Sequence, residues 1–517
     1  MKFGLLSTSR CRVHASRCVY AFIWGIIMGI IAGMSDLFCF SVTNFWLFLV
    51  LCFLALGIFW PNYLTILLIL IAGVIAGNLR VSFASVGKTY FSQVTNQEIT
   101  FSGVIMEDPQ TDKSPMVVKL KNLQIVQADQ TYAVPGVIYA QIGGQVSVQR
   151  SDKLTLVGKA QPGFGTYVAK FFLPRIIQTE RPEPGDYFLE LRNWFANLAR
   201  KSIPSPEVDL GLGYLMGMKA GIPDSLLTSL QIVGMTHVIV ASGAHLGILV
   251  NLSKKIFGKI SRFAGVLFSL LLILGFVAIV GLTPSMTRAS LVSSLALMVG
   301  YFGRKFSPLR LISLVAALTL LYEPTNLFNL GWQLSFASFF GILIFAPRFT
   351  NFLYGGKKPN FLAELLITSF STSIICAPIL IYGFGNLSLL SFVANLVILP
   401  TLPYAMGLIF LTGITAFYPP LASLLGQLTK MLLDLHIGVV HFLEDKTTFV
   451  LNFEMGQPAI FLLYLLPLFL LFIFYCSQHL AKRREKCYNY KYENRFRERY
   501  ARFRQKIRKK SHPTVRD

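Results

Sequence analysis

Apolar residues fall in long blocks towards both ends of the chain and in short alternating runs between them. The stretches 19–34, 43–60 and 62–79 are each apolar over nearly the ~20 residues that a membrane crossing needs, and they predict three spanning helices. Beyond Leu79 the period changes to two. Residues 99–106, 116–126, 132–142, 154–159 and 167–177 are rich in β-branched and aromatic side chains. Turn signals at Asp108-Pro109, Gly143-Gly144 and Pro162-Gly163 separate them, which predicts five strands. Five short strands in one segment suit a small OB-like barrel, although a five-stranded sandwich reads the same way.

A helical period returns at 187–201, where Tyr187, Leu191, Trp194 and Leu198 share a face from which Glu190, Asn193, Asn197 and Arg200 are largely absent. This predicts an interfacial amphipathic helix. A second apolar block supplies candidate spans at 236–253, 264–282, 286–302, 309–322, 332–347, 361–383 and 459–480. Pro400, Pro403 and Pro419-Pro420 interrupt the region 388–443 and predict broken or re-entrant helices there. On a helix over 421–443, Leu425, Leu428, Met431, Leu435, Val439 and Phe442 form an apolar stripe. Gln427, Lys430, Asp434 and His441 form a polar one, which predicts contact with an aqueous path or the interface. The expected fold is a polytopic α-helical membrane protein of about 10–12 spans with an inserted extracytoplasmic all-β OB-like domain. Its segments are 1–79 (three spans), 80–186 (β domain), 187–207 (interfacial helix), 208–480 (membrane domain) and 481–517 (basic cytoplasmic tail).

Composition agrees. The 517 residues are 54% hydrophobic and 14% charged, against roughly 25% charged in ordinary soluble domains, which excludes a disordered chain, a collagen and a secreted disulfide scaffold. The net charge is +23, and residues 482–517 hold 15 Lys or Arg against four acidic residues. With Lys2, Arg10, Arg12 and Arg17 at the start and basic loops at 254–262, 304–310 and 348–358, this places both termini in the cytoplasm and the strand-rich segment outside. The first apolar run resembles a signal peptide, but further runs follow at once without a small-residue cleavage site, so it reads as an uncleaved span. The seven Cys show no CxxC spacing and no two of the seven His are spaced His-x-His, so neither a disulfide frame nor a metal site is indicated.

Candidate chemistry concentrates in Leu212 to Val250, where His237, Ser242, His245 and several glycines sit in an apolar setting. Ionisable groups at membrane depth are costly and usually face a bundle interior or a water-filled path. Gly217, Gly221-Ile222-Pro223, Thr236-His237 and Ser242-Gly243-Ala244-His245-Leu246-Gly247 together resemble the signature of the ComEC/Rec2 competence family of DNA-uptake channels. Ala244 stands where the family usually has a larger apolar residue, and Met218-Lys219 where it often has Gly-Asp. Thr287-Arg288-Ala289, Gly331-Trp332-Gln333-Leu334-Ser335-Phe336 and Ala394-Asn395-Leu396 to Pro400 resemble further family motifs in the family's order.

The resemblance implies a multi-pass protein of the bacterial cytoplasmic (inner) membrane that admits single-stranded DNA during natural transformation, without a cofactor. It makes His237, Ser242, His245, Arg288, Gln333, Ser335 and Asn395 candidates for lining or gating the path, each with a competing reading as an interior hydrogen-bonding residue. Some members carry a C-terminal metallo-β-lactamase-like domain with a His-x-His-x-Asp-His site. This chain resembles the form without it, so no enzyme activity is expected. Implied partners are single-stranded DNA, membrane lipid, a separate nuclease, an outer DNA-receptor protein, a cytoplasmic DNA translocase or strand-binding protein, and a second copy of the chain. Aromatics of the β domain, Tyr132, Tyr139, Tyr167, Phe171 and Phe172, are available for base stacking but are expected chiefly as core. Two other functions fit the same residues. One is an intramembrane serine hydrolase using Ser242 with His237 or His245; the other is a transporter of a small anionic or lipidic solute.

Overall fold

The structure is a computed structural model that describes residues 15–34, 63–109, 115–127, 130–144, 148–183, 185–219, 221–239, 243–281, 283–303, 307–355, 357–446 and 450–452. The expected spans at 43–60 and 459–480 and the basic tail lie outside the described residues, as does Ser242. Among the described residues six helices are long and apolar enough to cross a membrane: Arg17–Met34, Ile66–Gln93, Arg262–Val280, Leu330–Tyr354, Phe361–Phe384 and Ser391–Thr415.

The first two helices, α1 (Ala15–Met34) and α2 (Tyr63–Gln93), pack backbone to backbone. A Cβ on Gly25 would sit 2.3 Å from the Leu70 carbonyl oxygen, one on Gly29 2.1 Å from that of Val74, and one on Gly77 2.4 Å from that of Ile26. Small residues every fourth position permit this approach, as in other apolar helix pairs. The expected change of structure at residue 80 falls inside a helix: α2 continues to Gln93. Its last turns carry Phe91, 2% exposed, into the core of the following barrel, edge-on to Phe171.

The barrel is built from β1 (Glu98–Ile105), β2 (Met116–Gln127), β4 (Ile138–Ile142), β5 (Lys153–Pro162) and β6 (Ala169–Phe172), which pair in the closed order β1-β2-β4-β6-β5-β1. Every pairing is antiparallel except β4 with β6. This is the five-stranded Greek-key arrangement of an OB fold, and it selects the barrel over the sandwich. Two expected strands are each divided. Pro135-Gly136 splits 132–142 into β3 (Gln130–Val134) and β4, and Leu173-Pro174 splits 167–177 into β6 and β7 (Arg175–Glu180). Proline cannot donate to a ladder and ends a strand that pattern alone would carry on. The two extra strands lie off the barrel, β3 on β2 and β7 on β5. Inside, Leu120, Ile138, Leu156 and Phe171 alternate with exposed or half-buried residues, and Phe101 and Ile125 join them in the core.

The amphipathic helix α3 (Tyr187–Arg200) follows, then α4 (Glu207–Met216), α5 (Asp224–Ile232), α6 (Thr236–Ile239), α7 (Gly243–Phe257), α8 (Arg262–Val280), α9 (Pro284–Tyr301) and α10 (Pro308–Tyr322). The expected span at 236–253 is thus two helices. In α3, Tyr187, Leu191 and Trp194 are exposed as expected of an interfacial face, whereas Leu198 is buried. A single-turn helix at Pro324–Phe328 leads to α11 (Leu330–Phe340).

Residues 337–385 form a separate compact unit. In it a π-helical turn, Gly341–Phe345, runs into α12 (Ala346–Tyr354), and both pack on α13 (Phe361–Phe384). A Cβ on Gly341 would lie 2.9 Å from the Ser371 carbonyl oxygen. Hydroxyls of Thr368, Ser371 and Thr372 in α13 donate to carbonyls one turn back.

The chain returns to the first unit with a short pair of strands, β8 (Asn386–Ser388) and β9 (Val450–Asn452), flanking α14 (Ser391–Thr415) and α15 (Pro419–Glu444). The expectation of broken helices over 388–443 is corrected here. Pro400 and Pro403 lie inside an uninterrupted α14, and Pro419-Pro420 opens α15, where proline's missing N–H costs nothing. The Thr401 hydroxyl bonds the Val397 and Ile398 carbonyls, 2.7 and 3.1 Å away, beside those that the prolines release.

Candidate functional site

Three stretches distant in sequence meet around Arg288, one turn into α9. Its side chain is buried, and its guanidinium donates to the Ser335 carbonyl of α11 and lies 5.9 Å above the Phe336 ring. Gly243, which opens α7, sits so close that a Cβ there would be 3.8 Å from Arg288 Nη2 and 3.6 Å from the Ala289 Cβ. His245, two residues further along α7, is 1% exposed beside a cluster containing Leu246, Met286 and Ala289. Ser335 therefore meets Arg288 through its backbone. Gln333 serves a different purpose: its Nε2 donates to the Leu327 carbonyl, 2.7 Å away, while the neighbouring Trp332 indole donates to Thr319, 3.0 Å away.

A second grouping forms where the α5–α6 turn meets the start of α14. A Cβ on Gly234 would lie 3.2 Å from the Ser391 Cβ and 3.4 Å from that of Ser388. Exposed His237 has its Nδ1 3.1 Å from the Gly234 carbonyl oxygen, and buried Asn395 lies one turn into α14. The Gly221-Ile222-Pro223 turn is fixed by charge. Gly221, at φ +94°, leaves room for the Asp209 carboxylate, which a Cβ would approach to 2.8 Å. Asp209 in turn accepts from Arg200 at 3.0 Å and from the Ser205 hydroxyl at 2.7 Å. No other residue type meets both demands at this position.

Gln427, Lys430, Asp434 and His441 stand on the open side of α15. Gln427 and His441 are exposed, and Lys430 and Asp434, both about half exposed, form a loose 3.9 Å pair. The apolar stripe of α15 is exposed too at Leu428, Met431, Leu435 and Phe442. The buried face is Ala422, Gly426, Thr429, Leu433, His436, Val440 and Leu443, which neither stripe contained. His436 is a polar residue that pattern reading missed, because its neighbours on that face are small or apolar.

The barrel carries a further candidate surface. Of the five aromatics expected chiefly as core, only Phe171 is fully buried; Tyr132 and Phe172 are half exposed. Tyr139, Phe164 and Tyr167 form a triangle of rings with centroids 5.1–5.4 Å apart. Lys170 Nζ stands 4.1 Å over Phe172 and 5.7 Å from Phe164. Lys170 is the register partner of Tyr139 across β4 and β6, and Lys119 that of Tyr139 across β2 and β4. Burial works against the charge on Lys119, but Glu107, 2.6 Å away, and Tyr167 outweigh it and raise its pKa. Phe164 was missed because it stands in the Pro162-Gly163 turn, outside any strand pattern.

The barrel is tied to the helices by two buried arginines. Arg150 donates to Asp186 Oδ2, 3.1 Å away, and to the carbonyls of Ala278 and Ile279, 3.2 and 3.1 Å away, at the end of α8. Asp186 also caps α3 through the Leu189 N–H. Burial alone would raise its pKa; the Leu189 N–H, the Ser151 hydroxyl and Arg150 together lower it. Arg192 of α3 makes a two-pronged pair with Asp108 in the loop after β1, at 2.6 and 2.9 Å. Among the described residues no three His, Cys, Asp or Glu side chains gather as a metal site would require.

Residues 214–479, more than half of the chain, match the family described as Competence protein. ComE operon protein 3 of Bacillus subtilis is 26% identical over 308 residues, which are 57% of this chain and 38% of that relative. The chain thus spans well under half the length of the curated relative that it matches. No solved structure matches it. Six apolar helices together with this kinship make a multi-pass membrane protein. The motifs that converge on Arg288 and on Gly234 all fall inside the matched region, and the chain belongs to the ComEC/Rec2 family of competence proteins.

Proposed function

We propose that this chain is the inner-membrane channel through which one strand of DNA passes inward during natural transformation. The observation that carries the reading is the aromatic and cationic face of the barrel. OB folds take oligonucleotides on the face of their second and third barrel strands, which here are β2 and β4, the strands of Lys119 and Tyr139. Single strands are held there by base stacking, worth ~1–3 kcal/mol per base, and by cations that follow the backbone. Phe172, Phe164 and Lys170 stand where bases and a phosphate would be met. Among the helices, the buried Arg288 beside Gly243 offers a guanidinium suited to phosphate oxygens.

The topology of the proposal puts the barrel outside and both termini inside. A periplasmic-type reporter fused after residue 120 is expected to be active, and fusions after 305 and 490 inactive. The opposite result at 120 removes the barrel from the DNA-receiving side. Degradation of the second strand is assigned to a separate nuclease. In support, Glu107 is engaged by Lys119 and Asp108 by Arg192. Purified protein given Mg²⁺, Mn²⁺ or Zn²⁺ is expected to leave labelled duplex DNA intact.

The deciding experiment is uptake of labelled DNA by a deletion strain complemented with variants. Deletion is expected to abolish uptake while surface capture persists, and Arg288→Ala and Lys170→Ala/Phe172→Ala to lower uptake at unchanged protein abundance. A solute or lipid phenotype with normal uptake would turn the reading to a transporter.

A further inference from the structure

The largest apolar core of the protein, between α4, α14 and α15, contains a small polar group that neither the motifs nor the proposed path uses. His436 of α15 is fully buried, and its Nε2 lies 2.8 Å from the Thr401 hydroxyl of α14. That hydroxyl has one hydrogen, and the Val397 carbonyl, 2.7 Å away, takes it. Towards His436, Thr401 is therefore an acceptor, so Nε2 carries the ring hydrogen and Nδ1 is a bare lone pair. Nδ1 has no hydrogen-bond partner among the described residues, nor has the hydroxyl of Tyr214 on α4, whose ring centroid is 5.7 Å from that of His436. Tyr214 is 1% exposed, and around the pair are Leu212, Ile398, Leu402, Leu433 and Val440. One buried donor and one buried acceptor thus stand on rings whose centroids are 5.7 Å apart, each without a partner among the described residues, although buried polar groups are almost always bonded.

We propose that one internal water occupies this place, accepting from the Tyr214 hydroxyl and donating to His436 Nδ1. Buried waters are stable where two to four polar groups converge. The result is a continuous chain of hydrogen bonds, Tyr214 to water to His436 to Thr401 to Val397, across three helices. It also fixes His436 as the neutral Nε2–H tautomer.

The test uses full-length protein labelled with ¹⁵N-histidine in lipid bilayers, and water-edited solid-state NMR. The His436 signal is identified by its loss in His436→Phe or, should that variant not fold, by its shift in Thr401→Val. The expected result is a neutral ring with a bare Nδ1 that receives magnetisation from water, and a severalfold loss of that transfer in Tyr214→Phe. A hydrogen on Nδ1, absence of transfer in the unaltered protein, or transfer undiminished in Tyr214→Phe would each overturn the proposal.

Discussion

In the barrel the side chains turned inward are Phe101, Leu120, Ile125, Ile138, Leu156 and Phe171; in α15 they are Ala422, Gly426, Thr429 and His436 among a few aliphatics. Outward the order reverses: the barrel shows Lys119, Tyr139 and Lys170, and α15 shows Leu428, Met431 and Phe442. One region excludes water by gathering its largest apolar groups. In α15 small residues face the neighbouring helices, so close packing and hydrogen bonds between helices decide much of what faces inward. Thr412 and Thr429, 3.0 Å apart, and the tight seat of Gly426 against Ser202 are the interior of such a region.

Substitutions that reverse the inward side chain should separate the two regions. Phe171→Ala, which empties the middle of the barrel, is expected to cost about 3–5 kcal/mol and to unfold the barrel first, as read by protease cleavage within 98–180. Gly426→Val adds atoms where a Cβ already lies 2.5 Å from the Ser202 carbonyl oxygen. Overpacking of this kind costs roughly 1–3 kcal/mol, visible as a lower melting temperature in detergent with the barrel still protected. A barrel in which Phe171→Ala is harmless, or an α15 that accepts Gly426→Val, would break the comparison.

The junction between the regions should respond to pH. The carboxyl of Asp186 has a folded pKa below its ordinary value of 3.8. Its contribution is therefore complete above that value and is lost as pH falls through the lower folded one. Melting curves taken from about pH 7 to about pH 3 should show a descent that Asp186→Asn flattens, with a cap loss of ~0.5–2 kcal/mol at neutral pH. The smallest effect is expected on the exposed face of α15. Met431→Ala and Lys430→Ala should each change stability in lipid by no more than about 0.5 kcal/mol. A large loss from Met431→Ala would mean that this face is covered by protein.

The barrel was legible because its strands turn one side to the core, so alternation marks them; the divisions at Pro135 and Pro174 and the strand order came only with the structure. The motifs around Arg288 were legible as residues but not as roles. Nothing in the spacing says that Ser335 would act through its carbonyl, or that Gln333 would turn away to Leu327. On α15 the apolar and polar stripes were legible, but the buried face belongs to neither, because it is made of small and aliphatic residues that a period does not single out. His436 and the glycines of α1 and α2 were missed for the same reason: their meaning lies in how near a neighbouring backbone comes, which a single chain does not state.

The glycine contacts of α1 and α2 also bear on how the barrel is held. At 1.5 Å per residue the 31 residues of α2 reach about 46 Å, whereas a bilayer's hydrocarbon is only ~30 Å thick. In the proposed topology about 16 Å of helix stands clear, its base splinted to α1 without intervening side chains and its tip embedded in the barrel through Phe91. That is a mast, with Arg150 and Arg192 as stays on the other side. In the proposed topology a domain mounted this way keeps a set height and heading above its membrane, so a strand it grips would be delivered to one fixed point rather than swept through a volume.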